Sequence, residues 1–184
     1  MGRAEIGVAA LRLLNIDPTA SMAQLAAAAG VSRATMHRHF ATREELVKHL
    51  GWLSLRSWRD ALDAARIDEA VDSGDTARAR EALDGLCREL VRDAAEYGFT
   101  LTEHSLESDD DIVSASEIQA KREYAFYVAA QDLGVIRADL PVPWIANAVF
   151  GLLVGLRRCL SHGDIAVRDA ERLLRETLLG GIGA

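Results

Sequence analysis

Between Val31 and Phe40 the chain reads VSRATMHRHF, in which Ser32, Arg33, Thr35, His37, Arg38 and His39 all carry hydrogen-bond donors while Val31, Met36 and Phe40 are apolar. At helical spacing this is a short helix with one side for a core and one side able to meet phosphate oxygens or base edges. The planar fork of arginine matches two acceptors of a guanine, so Arg33 and Arg38 are the candidates for base edges. Ser32, Thr35, His37 and His39 are the candidates for phosphate. The alternative for the same residues is a solvated basic face on an ordinary helical hairpin.

The flanking residues say how such a helix would be held. Ser21 with Gln24 forms a capping box that starts a helix, and Met22, Leu25, Ala26 and Ala29 give it a narrow apolar face. Gly30 suits a sharp turn with positive φ, Val31 can plug the gap between crossing helices, and Ser32 caps the next helix. Two helices joined by a glycine turn, the second short and basic, describe a helix-turn-helix whose second helix enters a DNA major groove. Ile6, Ala9, Ala10, Leu13 and Leu14 predict a bracing helix from about Arg3 to Asn15, ended by Asp17-Pro18. Arg3 reads as either an extra phosphate contact or a frayed terminus. Thr42 with Glu45 reads as a second capping box, opening a long helix to about Ala65.

The run from the alanine-rich helix through AGVSRATMHRHF to TREEL resembles the TetR (tetracycline-repressor) family of bacterial transcriptional regulators, over about the first sixty residues. Ala34 stands where that family commonly has glycine, and His37 where it commonly has tyrosine; His37 keeps a donor on a shorter side chain. The resemblance implies that the start of the fourth helix touches backbone phosphate, which would involve Arg43 and Lys48; a solvated face is the alternative for both. It also implies that the last two helices pair with their twofold mates as a four-helix bundle.

Composition agrees with an all-α fold of about nine helices: 49% of the 184 residues are apolar, 5% are aromatic and three are proline. The net charge of -7 argues against nucleic acid only until its distribution is examined. Residues 1–60 hold eight Lys+Arg against five Asp+Glu, net +3, and the remainder holds 13 against 23, net -10. A basic head on an acidic body suits a modular DNA binder. The expected division is a helix-turn-helix domain over residues 1–48 and an effector-binding and dimerisation body over 49–184. Cys87 and Cys159 lie in apolar stripes without metal-ligand spacing and read as core cysteines of a reducing compartment, with a long-range disulfide as the alternative. Met1 leads straight into an amphipathic helix containing Glu5, not a secretory signal, so a cytoplasmic location is expected.

In the body, the polar stretch Asp68–Asp75 reads as a connecting loop. The stripe from Ala79 to Ala95 reads as a helix capped by Gly98, and Thr100–Leu106 as a short helix. Asp109, Asp110 and Asp111 suit a helix N-terminus better than a metal site, since no carboxylates follow at calcium-loop spacing. A long helix from Ile112 to Leu133 stops at Gly134, and Pro141 and Pro143 begin the next. Its fifteen or so mostly apolar residues from Val142 to Leu156 fall short of the ~20 that cross a bilayer, so no membrane partner is expected. Being apolar on more than one face, that helix is expected to pack both inside its subunit and on a second copy. The candidate dimer residues are Val149, Leu152, Leu153 and Leu156 there and Val167, Ala170, Leu174 and Leu178 on a final helix ending at Gly180-Gly181.

Control is expected from a small molecule held among the body helices. Trp58, Leu90, Tyr97, Phe99, His104, Gln119, Arg122, Phe126 and Asn147 are the candidates for touching it, each with an alternative as core or surface residue. Their apolar majority points to a lipophilic effector. No cofactor is implied. Catalysis is disfavoured: there is no glycine-rich phosphate loop after a strand, no HExxH and no paired cysteine ligands. His104 beside Glu103 is the one faint candidate, and adjacent helical residues point different ways. The expected function is a sequence-specific DNA-binding regulator, in form a repressor, acting as a homodimer on a near-palindromic operator. The alternative is a helical interaction protein that has kept the fold and lost specific operator binding.

Overall fold

The computed structural model describes residues 1–183. Among these residues it contains nine α-helices: α1 (Arg3–Leu14), α2 (Met22–Ala28), α3 (Arg33–His39), α4 (Arg43–Ala64), α5 (Ile67–Ser73), α6 (Thr76–Tyr97), α7 (Asp110–Asp132), α8 (Val142–His162) and α9 (Ala170–Ile182). Short 3₁₀ turns cover Thr100–Thr102, His104–Ser108 and Val167–Asp169. The fold is all-α, as the composition predicts.

Two hydrophobic clusters organise these helices. One gathers Ile6, Leu11, Leu14, Leu25, Met36, Phe40, Leu46 and Leu50 from α1 to α4. The other gathers Leu62, Ile67, Leu83, Leu86, Phe126, Tyr127, Ile145, Val149, Leu174 and Leu178 from the later helices. Each large side chain removed from water in this way contributes about 1.5–3 kcal/mol before the entropy of ordering is counted. α4 belongs to both clusters, giving Leu46, Leu50 and Leu53 to the first and Leu62 to the second. A rigid rod thus joins them.

Local signals account for most helix starts. The Ser21 hydroxyl accepts from the Gln24 amide while the Gln24 side chain takes the Ser21 N–H, a complete capping box. Gly30 turns at φ +66 and Ser32 accepts from the Thr35 amide, setting α2 against α3. At Thr42 only half of the expected box forms. Its hydroxyl accepts from the Glu45 amide, but the Glu45 carboxylate reaches one residue further back to the Ala41 N–H at 2.8 Å.

Several body expectations need correction. Most of the stretch Asp68–Asp75, expected as a loop, belongs to α5, with only Gly74 and Asp75 outside it: Arg66 takes a left-handed conformation that breaks the α4 axis, and Ile67, Ala70 and Val71 then pack inward at i, i+3 and i+4. Thr100–Leu106 is not one short helix but part of two 3₁₀ turns. Gly98 is the C-cap of α6 as expected, but with negative φ. A Cβ there would collide with the Arg157 side chain and the Ala94 carbonyl, so the glycine serves a close approach of α8. α8 itself runs 21 residues, through Arg157-Arg158, and is long and apolar enough to meet a membrane-span criterion. In the fold, Ile145, Val149, Leu153 and Leu156 of α8 are buried within the chain. α9 continues through Gly180-Gly181 to Ile182.

Candidate functional site

α3 turns Met36 fully into the first cluster, with Phe40 behind it, and this fixes the rotation of the helix. Ser32, Arg33, His37 and Arg38 are consequently exposed, and Thr35 and His39 half-buried. Neither Arg33 nor Arg38 makes a hydrogen bond or ion pair among the described residues, so both guanidinium forks are free. The Thr35 hydroxyl is tied to Ser32 Oγ at 3.0 Å. His37 Nδ1 lies 3.2 Å from the Ala41 carbonyl, which can only accept, so the ring's N–H sits on Nδ1 and Nε2 is left facing outward.

The remaining basic candidates are differently placed. Arg43 reaches back to the Ala20 and Pro18 carbonyls, 2.6 Å each, and so ties the α1–α2 link to α4. Its guanidinium is spent inside the head, a correction to its expected phosphate role. Lys48 is 2.8 Å from Asp109 and 3.2 Å from Asp111, which raise its pKa, and it joins α4 to the start of α7. Asp109 also caps α7, accepting from the Ile112 amide, so the aspartate run starts a helix as expected. Arg3 lies over the Phe40 ring, 4.8 Å from its centroid.

Behind the head, α4, α6, α7 and α8 and the 3₁₀ turns after α6 line a half-open cavity of about 370 Å³. Of the expected effector contacts, Trp58, Leu90 and Asn147 line it. The others are corrected. Phe126 is fully buried in the second cluster, and Tyr97 and Phe99 pack on the first. Gln119 and Arg122 are half-buried against α4 and α5, Arg122 bonding Gln119, Asp63 and Asp68. The His104 side chain is 86% exposed beside Glu107.

Sequence reasoning missed the acidic groups of this cavity. Asp93, Glu103, Glu107 and Glu123 line it together with Tyr124 and Phe150, and no Lys, Arg or His is among its lining residues. Glu123 is only 6% exposed, and its Oε1 accepts from the Tyr127 hydroxyl at 2.5 Å. Burial pushes its pKa up, against the opposing pull of Tyr127 and Trp58. Burial likewise pushes Asp93 up to about 6, partly offset by Ser57, and Asp93 Oδ1 is buried with no partner. Helical periodicity gave no warning, because a charged residue at the edge of an apolar stripe ordinarily reaches solvent.

A joint connects this cavity to the head. Phe99 inserts into the first cluster, and the Asn15 carboxamide at the end of α1 holds the end of α6 from both sides: Nδ2 donates to the Glu96 carbonyl at 2.7 Å and Oδ1 accepts from the Phe99 amide at 2.8 Å. Thr100 and Leu101, the next two residues, line the cavity.

The expected dimer residues face mainly inward. Val149, Leu153, Leu156, Ala170, Leu174 and Leu178 are buried in their own chain, Leu152 is half-buried against the second cluster, and Val167 sits 76% exposed in the turn before α9. The outward side of α8 instead carries Trp144, 62% exposed, with Gly151 and Gly155, beside which a Cβ would find open space.

Residues 6–50 match the family model for bacterial regulatory proteins of the tetR family. Over 177 residues the chain is 26% identical to the HTH-type transcriptional regulator NfxB of Pseudomonas aeruginosa, covering 95% of this chain and 91% of that protein. Among solved structures, the TetR-like regulator LfrR of Mycobacterium smegmatis in complex with proflavine superposes with a TM-score of 0.70 at 23% identity, covering 99% of this chain and 96% of that one. The ketosteroid transcriptional regulator KstR2 of Mycobacterium tuberculosis also gives 0.70, at 22% identity over 99% and 95% of the two chains.

Proposed function

We propose that the chain is a DNA-binding transcriptional regulator of the TetR family, a cytoplasmic homodimeric repressor whose hold on a near-palindromic operator is changed by a small molecule in the body cavity. The observation that carries this reading is the Asn15 joint, which ties one wall of the cavity to the helix bracing the reading motif. Residues 1–48 act as the reading head and 49–184 as the sensing and pairing body.

In the head, Arg38 and Arg33 read base edges, and the backbone amides and hydroxyls at the start of α3, with His37, hold phosphate. Two copies of α3 related by a twofold axis meet major-groove faces roughly 34–36 Å or more apart, so the site is an inverted repeat. The copies meet through the outward side of α8, at Trp144, Gly151 and Gly155, together with α9. A ligand shifts the equilibrium only by binding one arrangement of the heads better than the other. Filling the cavity displaces Thr100–Leu106, and Phe99 and Asn15 carry that displacement into α1.

Selection of bound sites from random duplexes tests this reading. The expected result is an inverted repeat with two half-sites, bound by dimer. Binding that falls steeply with salt yet ignores sequence overturns it.

A further inference from the structure

Arg157 of α8 is half-buried in a place that its charge does not repay. Its side chain presses on Gly98 so closely that a Cβ there would collide with Cδ and Nε. Nε is buried with no hydrogen-bond partner, and Nη1 reaches only the Thr102 hydroxyl, at 3.4 Å. No carboxylate acts on the guanidinium: burial alone bears on its pKa and pulls it down. A leucine or methionine would fill the same space without drawing a charge out of water.

What the arginine does touch is the segment that joins the cavity to the head. Gly98 and Thr102 bracket Thr100 and Leu101 of the cavity wall, and Asn15 of the head grips Glu96 and Phe99 from the other side. A cation at the C-terminal end of a helix meets the partial negative charge of its unpaired carbonyls, so the end of α6 favours Arg157 without binding it tightly. Gly155, beside which a Cβ would find open space, stands two residues from Arg157 and therefore on another side of α8. One rigid turn of α8 thus presents a pairing face outward and a guanidinium to α6. We propose that Arg157 is a positioning residue for operator recognition, carrying the position of the pairing helix through Gly98–Thr102 and Asn15 into the spacing of the two heads. This rests on the dimeric regulatory reading and names a residue through which it is exercised. Arg157 is not among the residues lining the cavity.

The test compares a duplex carrying the full inverted repeat with one carrying a single half-site. A half-site engages one head and is blind to how the heads are spaced, whereas the full repeat rewards the right spacing. Arg157→Met keeps the stem and removes the fork. The variant is expected to remain a dimer by light scattering, with Tm unchanged or higher. It should hold the half-site within about twofold of the unaltered protein and lose about tenfold or more on the full repeat. Thr102→Val, which leaves α8 untouched, is expected to lose at least about threefold on the full repeat alone, and it decides by itself if Arg157→Met does not fold. A merely structural role lowers Tm and weakens both duplexes together. That result, a full-repeat affinity unchanged in both variants, or a monomeric Arg157→Met protein overturns the proposal. The unaltered protein keeps the two readings apart. Equal affinity for half-site and full repeat defeats the dimeric reading and this proposal with it, whereas a full-repeat preference that both variants retain defeats only the role of Arg157.

Discussion

The Asn15 side chain accepts a hydrogen bond from the Phe99 amide at 2.8 Å, across 84 positions of sequence, while donating to the Glu96 carbonyl at 2.7 Å. One carboxamide thus satisfies a carbonyl that the end of α6 leaves unpaired and the amide of the residue after its cap. It also couples two separate hydrophobic clusters. Beside it, Phe99 is buried among head residues although its neighbours Thr100 and Leu101 belong to the cavity wall.

Replacing Asn15 by alanine removes both bonds and leaves a partly buried amide without a partner, a loss of about 1–3 kcal/mol. The expected outcome is a lower Tm and faster hydrogen exchange at the Phe99 amide. An unchanged exchange rate there would show that the joint does not hold the segment.

Arg38→Ala is expected to cost the selected operator about 1–3 kcal/mol and random duplex distinctly less, because a base-edge contact is lost with sequence. Equal losses at fixed salt would make Arg38 a positioning residue. Arg43→Ala should behave differently, lowering thermal stability through the freed Pro18 and Ala20 carbonyls while the salt dependence of DNA binding stays as it was. Titrating both variants against DNA at several salt concentrations separates the two roles.

Asp93 ties stability to pH. A carboxyl raised from its ordinary 3.8 to about 6 is neutral in both folded and unfolded states below the lower value, so the stability it contributes is complete there and is lost as pH rises through the higher one. The penalty at neutral pH is about 3 kcal/mol at most. Charged groups acting on it are Glu96, Arg92 and Glu89 of its own helix, with Ser57 facing it from α4. Asp93→Asn is expected to raise Tm at neutral pH, with the gain vanishing near pH 4, as thermal unfolding across that range would register. A gain of equal size at both ends would rule out ionisation as its cause.

The outward side of α8 predicts a clean separation of folding from pairing. Gly155→Arg introduces a large charged group where the chain itself leaves open space. A folded monomer by light scattering is expected, with specific operator binding lost. Leu153→Asp places a charge in the core instead and should unfold the body. A Gly155→Arg protein that remains dimeric would move the pairing face elsewhere.

Much of the head was determined by sequence alone, because its signals are local: a cap answers to a residue three positions away, a turn to one glycine, and Met36 and Phe40 set which side of α3 is free. The helical character of the body was equally legible, since a 3.6-residue stripe needs only its own segment. Tertiary structure decided everything that depends on which stripe meets which neighbour. The apolar residues of α8 and α9 were visible, but whether Leu153 or Trp144 faced inward rested on the position of α6 and α7. Arg43 looked free until Pro18 and Ala20 were found beside it, and Phe99 looked like a wall of the cavity until Asn15 drew it into the head. Nothing in the sequence around Asp93 and Glu123, two acids on long amphipathic helices, marks them out. Only the convergence of four distant helices took water away from them, and burial, not residue type, is what lifts a carboxyl above its ordinary pKa.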